Sequence, residues 1–285
     1  MNISYGPRCI QVRYPACETA PAPVEEHSED CLFLDVYVPR TVFGNATAIA
    51  ETPVVVWIFG GAYVFGGKQT YGKKDPLYDG KGLIHAAKNY LKEKPNVIFV
   101  AGNYRLGALG WLAGPAFQHS GIPAVSNAGL YDQRLLFEWV QKYIGLFGGD
   151  KTQVSAWGES AGGGSILHHL VRTGTEHERD PLFKRALLQS PAYQWQWDRS
   201  PGGEMDQTYR KFMEFANCND MHCLLNAPIK TLIKANQDLF NNARKVGLFP
   251  VGPAVDDVWI SELPTTAFAN GKWSLAIVMR RIHLD

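Results

Sequence analysis

The feature that most constrains the fold is the alternation of short, continuously apolar runs with segments of helical periodicity. Pro53-Val54-Val55-Val56-Trp57-Ile58-Phe59 and Asn96-Val97-Ile98-Phe99-Val100-Ala101 are apolar on consecutive residues rather than on every second one. Such runs fit strands covered on both faces, the environment of a parallel sheet held between helices. Gly82 to Lys92 carries a helical pattern, as does Tyr131 to Phe147, with Leu135, Leu136, Trp139, Val140 and Ile144 on one face. Further strands are predicted at Cys31 to Val38, Gln153 to Trp157, Arg185 to Gln189 and Leu275 to Met279, and a helix from Gly163 to Arg172. The expected class is α/β, a mostly parallel sheet with helices on both faces. Asp206 to Leu248 holds only helical patterns and is expected as an excursion over one end of the sheet, within a single domain covering 1–285.

Composition narrows the functional classes. Lys and Arg number 28 against 27 Asp and Glu, and no block of five like charges occurs, so no field exists to draw in nucleic acid or an anionic membrane surface. No apolar run approaches the roughly 20 residues of a membrane-spanning helix. The first residues lack the basic and apolar regions of a signal peptide, yet Asn2-Ile3-Ser4 and Asn45-Ala46-Thr47 are sequons that matter only in a secreted protein. Five cysteines, Cys9, Cys17, Cys31, Cys218 and Cys223, show no Cys-x-x-Cys and no companion histidine spacing, which argues against a metal. Spacing alone leaves open whether they are ordinary buried thiols of a cytosolic protein. Gly60-Gly61 and Gly66-Gly67 are not set between a strand and a helix at nucleotide-binding spacing, and no cofactor is expected.

Chemistry centres on Gly158-Glu159-Ser160-Ala161-Gly162, which follows a predicted strand and opens a predicted helix. On a tight strand-to-helix turn the flanking glycines remove Cβ atoms that would clash, and Ser160 Oγ is held above the sheet edge over a helix N-terminus. The Ala161 N–H is thereby aimed where an oxyanion forms. Phe59-Gly60-Gly61-Ala62-Tyr63 directly follows a buried strand, and small residues there let backbone N–H groups approach a tetrahedral intermediate. A glycine-rich turn that simply caps the strand is the plainer reading of that segment.

Ser28-Glu29-Asp30-Cys31-Leu32-Phe33-Leu34-Asp35-Val36-Tyr37-Val38-Pro39 closely resembles a signature of type-B carboxylesterases and lipases, the family of cholinesterases and fungal secreted lipases. Asn103-Tyr104-Arg105-Leu106-Gly107, Asn127 to Arg134, Phe147-Gly148-Gly149-Asp150 and Gly158 to Gly163 match further blocks in the family's order, from about Tyr5 to about Val278. The resemblance implies an α/β-hydrolase fold and hydrolysis of small-molecule or lipid esters outside the cell. Residue by residue, it implies Ser160 as nucleophile, Gly61, Ala62 and Ala161 as oxyanion donors, and Glu159 as a polar neighbour of the nucleophile. Arg105 and Asp132 are similar to the family's buried, organising ion pair. Cys9 with Cys31 and Cys218 with Cys223 match its disulfides, which leaves Cys17 as a free thiol or a member of an altered pairing. The Gly-Gly-Ala form of the loop resembles relatives that accept bulky alcohols.

The pattern breaks where the rest of the machinery is expected. A serine hydroxyl is a weak nucleophile near neutrality and needs an imidazole oriented by a carboxylate, and in this fold both follow the serine. The later histidines are His168, His169, His177, His222 and His283. At about 1.5 Å per helical residue, His168 lies roughly 12 Å beyond Ser160 and cannot reach back, so His168 and His169 are read as ordinary helix residues. The resemblance ends near Met279, short of the family's acid and histidine, and Tyr5 to Cys9 resembles an internal block, so the fold is expected to be incomplete at both ends. A substitute triad would draw on Asp256, Asp257 or Glu262 with His283, but chain termini are poorly anchored for such placement, and Asp256 is read as part of a structural Gly-Pro-x-Val-Asp block. Tyr63, Phe65, Trp111, Trp195 and Trp197 are read as gorge lining or as core. Three readings follow: a serine ester hydrolase or its inactive remnant, a non-catalytic cholinesterase-like binding module, and a misfolding fragment with exposed sheet edges.

Overall fold

A computed structural model describes residues 6–13, 27–43, 51–68, 78–90, 96–172, 182–192, 196, 198–243, 249–273 and 277–281. Cys17, His177, Trp195, Trp197, His283 and both sequon asparagines, Asn2 and Asn45, lie outside them. Along the chain come β1 (Arg8–Cys9), β2 (His27–Ser28), β3 (Leu34–Tyr37), α1 (Arg40–Phe43), β4 (Thr52–Ile58), α2 (Lys81–Tyr90) and β5 (Ile98–Gly102). Then follow α3 (Gly107–Trp111), α4 (Pro115–Gln118), α5 (Ala128–Tyr143), a 3-10 turn (Ile144–Phe147), β6 (Gly149–Glu159), α6 (Ala161–Arg172) and β7 (Arg185–Gln189). The last elements are α7 (Glu204–Phe215), α8 (Met221–Leu225), α9 (Ile229–Asn241), α10 (Pro264–Ala269) and β8 (Ile277–Arg281).

Six strands form one sheet in the order β3-β5-β4-β6-β7-β8, parallel throughout except for β3, which runs antiparallel to β5 at one edge. The run of consecutive β-branched residues is explained by position: β4 is hydrogen-bonded on both sides, and Val54, Val55, Val56, Trp57 and Ile58 are all buried. The described part of the 206–248 stretch is helical, with α7 packed on α9.

Several element boundaries differ from the sequence expectation for local reasons. The strand expected from Cys31, which is β3, begins at Leu34, and ahead of it the Cys31 carbonyl accepts from Asn103 Nδ2 and the Phe33 carbonyl from Asn103 N. The helix expected from Tyr131 starts at Ala128, where Gly129 is a packing requirement, a Cβ there falling 2.4 Å from the Trp111 ring. Its last turn tightens into the 3-10 turn. The strand expected at Gln153 to Trp157 runs from Gly149 to Glu159, and its polar start escapes a hydrophobic pattern because Lys151 and Thr152 are exposed. The final strand is described over Ile277–Arg281, in register with β7 from Arg185 against Ile277, while Leu275 and Ala276, where its start is expected, lie outside the described residues.

Candidate active site

Register builds the site. Ile58 on β4 pairs with Gly158 on β6, so the chain leaves both strands side by side at the same sheet edge, one into Phe59-Gly60-Gly61 and the other into Glu159-Ser160. The two backbones touch. A Cβ on Gly60 would stand 2.8 Å from the Glu159 carbonyl oxygen and 3.0 Å from Ser160 Cβ, and one on Gly162 would stand 2.0 Å from the Ile58 carbonyl oxygen. Glycine is therefore a packing requirement at both positions.

Ser160 occupies the left-handed region at φ 53, the sharp turn expected between strand and helix. Its backbone is held on both sides: Ser160 N donates to the Gln189 carbonyl at 3.0 Å, and its own carbonyl accepts from Gly164 N and Ala192 N at 2.9 Å each. The residue itself is only half-buried. Across from it, Gly61, Ala62 and Tyr63 all have positive φ, at 113, 53 and 66, followed by a turn in which Val64 N and Phe65 N both donate to the Gly61 carbonyl. Left-handed backbone at Ala62, Tyr63 and Ser160 costs about 1–2 kcal/mol per residue, so surrounding contacts must hold it. Among the described residues, the N–H groups of Gly61, Ala62 and Ala161 donate to nothing, and no hydrogen bond reaches Ser160 Oγ. Three unpaired amides and a partly open hydroxyl thus share one edge of the sheet.

Glu159 turns its carboxylate onto the Gly60 backbone, Oε2 lying 2.7 Å from where a Cβ would be, and burial pushes its pKa up. Tyr78, stacked at a tilt on Trp57, has its own pKa raised by burial and then by the Glu159 charge. Arg105 and Asp132 form a bidentate pair, Nε and Nη2 each 2.8 Å from a carboxylate oxygen, and Arg105 N adds a third bond at 2.9 Å. That hydrogen bonding raises the guanidinium pKa and ties the turn before α3 to α5.

The described histidines stand apart from this chemistry. His168 and His169 are buried within α6, both with pKa lowered to about 3, first by desolvation. His169 Nε2 meets Gln133 Oε1 at 3.1 Å and its ring packs on Phe137 and Trp259. His222 is exposed on α8. The three acids weighed as substitutes are engaged elsewhere. Asp256 Oδ1 accepts from the backbone N–H of Val258, Trp259 and Ile260, and Oδ2 accepts from Asn127 Nδ2. Asp257 pairs with Arg199, and Glu262 with Lys272. Tyr63 and Trp111 are core, stacked edge-on at 4.7 Å, while Phe65 is half-buried beside Gly61. Both expected disulfides are formed, Cys9–Cys31 and Cys218–Cys223.

Sequence reasoning missed how the loop after β4 is moored. Tyr104 Oη donates to the Phe59 carbonyl at 2.8 Å, and Gly66 N donates to Gln11 Oε1 at 2.9 Å. Lys68, only 1% exposed, donates its backbone N–H to Asn103 Oδ1 and places Nζ 2.7 Å from Asp35 Oδ2. The available signals were weak: an aspartate inside the apolar run of β3, and a lysine directly behind two glycines. Among the described residues there is no group of metal-ligating side chains and no helix long and apolar enough to cross a membrane.

A family model described as "Carboxylesterase family" matches residues 3–279. Over 261 residues the chain is 41% identical to a secreted lipase of Arthroderma benhamiae, covering 90% of this chain and 48% of that protein. It is 38% identical to carboxylesterase patB of Penicillium expansum, covering 86% of this chain and 43% of that one. Among solved structures it is similar to a PNB esterase, with TM-score 0.76 and 29% identity over 97% of this chain and 51% of that one. Aspergillus niger EstA is a further match, with TM-score 0.75 and 30% identity over 96% and 48%. The chain spans about half the length of the curated relatives it matches.

Proposed function

The chain belongs to the carboxylesterase family, and on that premise we propose that Ser160 is the nucleophile of a serine carboxylic-ester hydrolase. The observation that carries the proposal is the pairing of a strained, partly open Ser160 with the unengaged N–H groups of Gly61, Ala62 and Ala161 at one sheet edge. In the reaction, Ser160 Oγ attacks the ester carbonyl carbon, its proton passes to a base, and the carbonyl oxygen takes the negative charge among the three amides. Collapse expels the alcohol, which takes up that proton, and water then attacks the acyl-serine to release the acid. Among the described residues, none is placed to supply the imidazole and carboxylate that such a mechanism requires. Glu159 serves as a neighbour that shapes the turn, and Arg105 with Asp132 as a scaffold for it. The substrate class is a small-molecule or lipid ester, with the Gly-Gly-Ala loop leaving room for a bulky alcohol. Two disulfides and the secreted relative support an extracellular setting.

One observation favours a second reading, a non-catalytic binding module of cholinesterase type: no described imidazole meets Ser160. A fluorophosphonate probe decides between them. Adduct located by mass spectrometry on Ser160, with a burst of nitrophenol from a p-nitrophenyl ester and neither in Ser160→Ala, is the expected result. A folded chain that shows neither signal is a binding module or a remnant.

A further inference from the structure

Four residues between 61 and 66, namely Gly61, Ala62, Tyr63 and Gly66, hold positive φ, and two of them carry side chains. A segment so far from relaxed backbone keeps its shape only where neighbours over-determine it. Its near end is fixed by the Phe59 carbonyl on Tyr104 and by the contact of Gly60 with Ser160. The middle is held by Gly107 N on the Tyr63 carbonyl, Val12 N on the Val64 carbonyl, and Gln11 on Gly66. The far end is Lys68, whose ammonium is buried against Asp35 on β3, with Asn103 joining Lys68 N to the Cys31 and Pro7 carbonyls.

We propose that Lys68 is a positioning residue, its buried ion pair with Asp35 clamping the 60–68 loop to the sheet edge and so holding the Gly61 and Ala62 amides toward Ser160. The inference rests on the reading of those amides as oxyanion donors. A charge is an effective clamp here because an ammonium on a side chain that is 1% exposed gives up a charge-assisted bond if it leaves Asp35, without gaining the solvation of bulk water while it stays buried. Loss of the clamp lets Ala62 and Tyr63 relax to negative φ, which rotates the intervening amides away. Lys68 touches no reacting atom and acts through the loop.

Lys68→Met and Asp35→Asn test this by two readouts. The first is hydrogen exchange at Val64, Phe65, Gly66 and Lys68, whose N–H groups are bonded in the loop, with α5 as internal reference. Lys68→Met should speed exchange in the loop by about tenfold or more while leaving α5 unchanged. Asp35→Asn should act in the same direction but less, since an amide oxygen still accepts from Nζ. The second readout is the rate of Ser160 labelling by a fluorophosphonate, expected to fall by about 10- to 100-fold in Lys68→Met with reversible affinity unchanged. Wild-type loop exchange and labelling in a folded Lys68→Met chain would overturn the proposal, as would a uniform rise in exchange that includes α5. Where Lys68→Met does not fold, Asp35→Asn decides by the same criteria. A wild-type chain that never labels removes the esterase reading, while the exchange measurement still tests the clamp.

Discussion

Gly162 and Gly82 are both helical glycines, and replacing each by alanine should move stability in opposite directions. A Cβ on Gly162 meets Ile58 O at 2.0 Å, Ile58 C at 2.8 Å and Phe59 O at 2.9 Å, all backbone atoms at the end of β4. Reaching the 3.4 Å of ordinary contact from 2.0 Å means that α6 and β4 part by about 1.4 Å. Neither yields easily, because β4 is paired on both sides and the first three turns of α6 are buried. Overpacking of this kind costs about 1–3 kcal/mol, and alanine's helix propensity returns up to ~1 kcal/mol of it. The net loss of about 1 kcal/mol lowers Tm by roughly 2 °C in a domain of this size. Ser160 is two residues upstream, so the same displacement moves its hydroxyl by about 1 Å and slows labelling by about 100-fold. Gly82 is exposed, and a Cβ there meets nothing within 4 Å. Gly82→Ala, near the start of α2, should gain up to about 1 kcal/mol and roughly 2 °C. Thermal melts by circular dichroism, with the labelling rate measured on each variant, make the comparison. A Gly162→Ala chain that melts at or above the wild-type temperature would refute the packing argument.

Acid should destabilise the fold through His168 and His169. Their folded-state pKa near 3 lies below the ordinary 6.5, so the stability they confer is complete above pH 6.5 and is lost as pH falls toward 3. Each contributes a slope of about 1.4 kcal/mol per pH unit in that window, and urea melts at pH 7 and pH 5 should show His168→Gln with the shallower dependence. Asp256→Ala strands three backbone N–H groups and removes one of the two acceptors of Asn127 Nδ2, and should cost about 3 kcal/mol or more in chemical denaturation, with Asp256→Asn costing less. Removing Cys9–Cys31, with a sequence separation of 22, should cost about 3.4 kcal/mol against about 2.2 for Cys218–Cys223, with a separation of 5. Paired serine variants melted side by side check that order.

What could be read before the structure divides by physical scale. Strands β4 and β5 and the turn at Ser160 were legible because doubly buried strands impose continuous apolar runs, and a strand-to-helix turn demands small residues at fixed offsets. The sheet order was not, since nothing local to β3 says that it runs antiparallel at the edge. The moorings of the 60–68 loop were hidden for a related reason. Lys68 and Asp35 are separated by 33 residues, and Gln11 and Gly66 by 55, and a polar side chain that finds a distant buried partner looks in sequence like one that faces water. Asn103 is the sharpest case, because one side chain and its own amide join Lys68, Cys31, Pro7 and Phe33.

Backbone strain gives the location of the site a basis independent of any motif. Seven described residues other than glycine have positive φ: Ala62, Tyr63, Asn127, Ser160, Ser190, Asn217 and Asp257. Asn and Asp visit this region at lower cost than other side chains, and Asn127 is held there further by the bonds of its side chain to the sequence-distant Ala254 and Asp256. Ala, Tyr and Ser have no such relief. All four of those residues lie just beyond the C-terminal ends of neighbouring strands, Ala62 and Tyr63 after β4, Ser160 after β6 and Ser190 after β7. Strain spread by accident would not collect on three adjacent strands at one edge. It persists there because Gln189, Ala192, Gly107 and Tyr104 bond the segments that carry it. In a parallel sheet that edge is also where ligands bind, so the most strained backbone among the described residues coincides with the place where the proposed reaction needs unengaged amides.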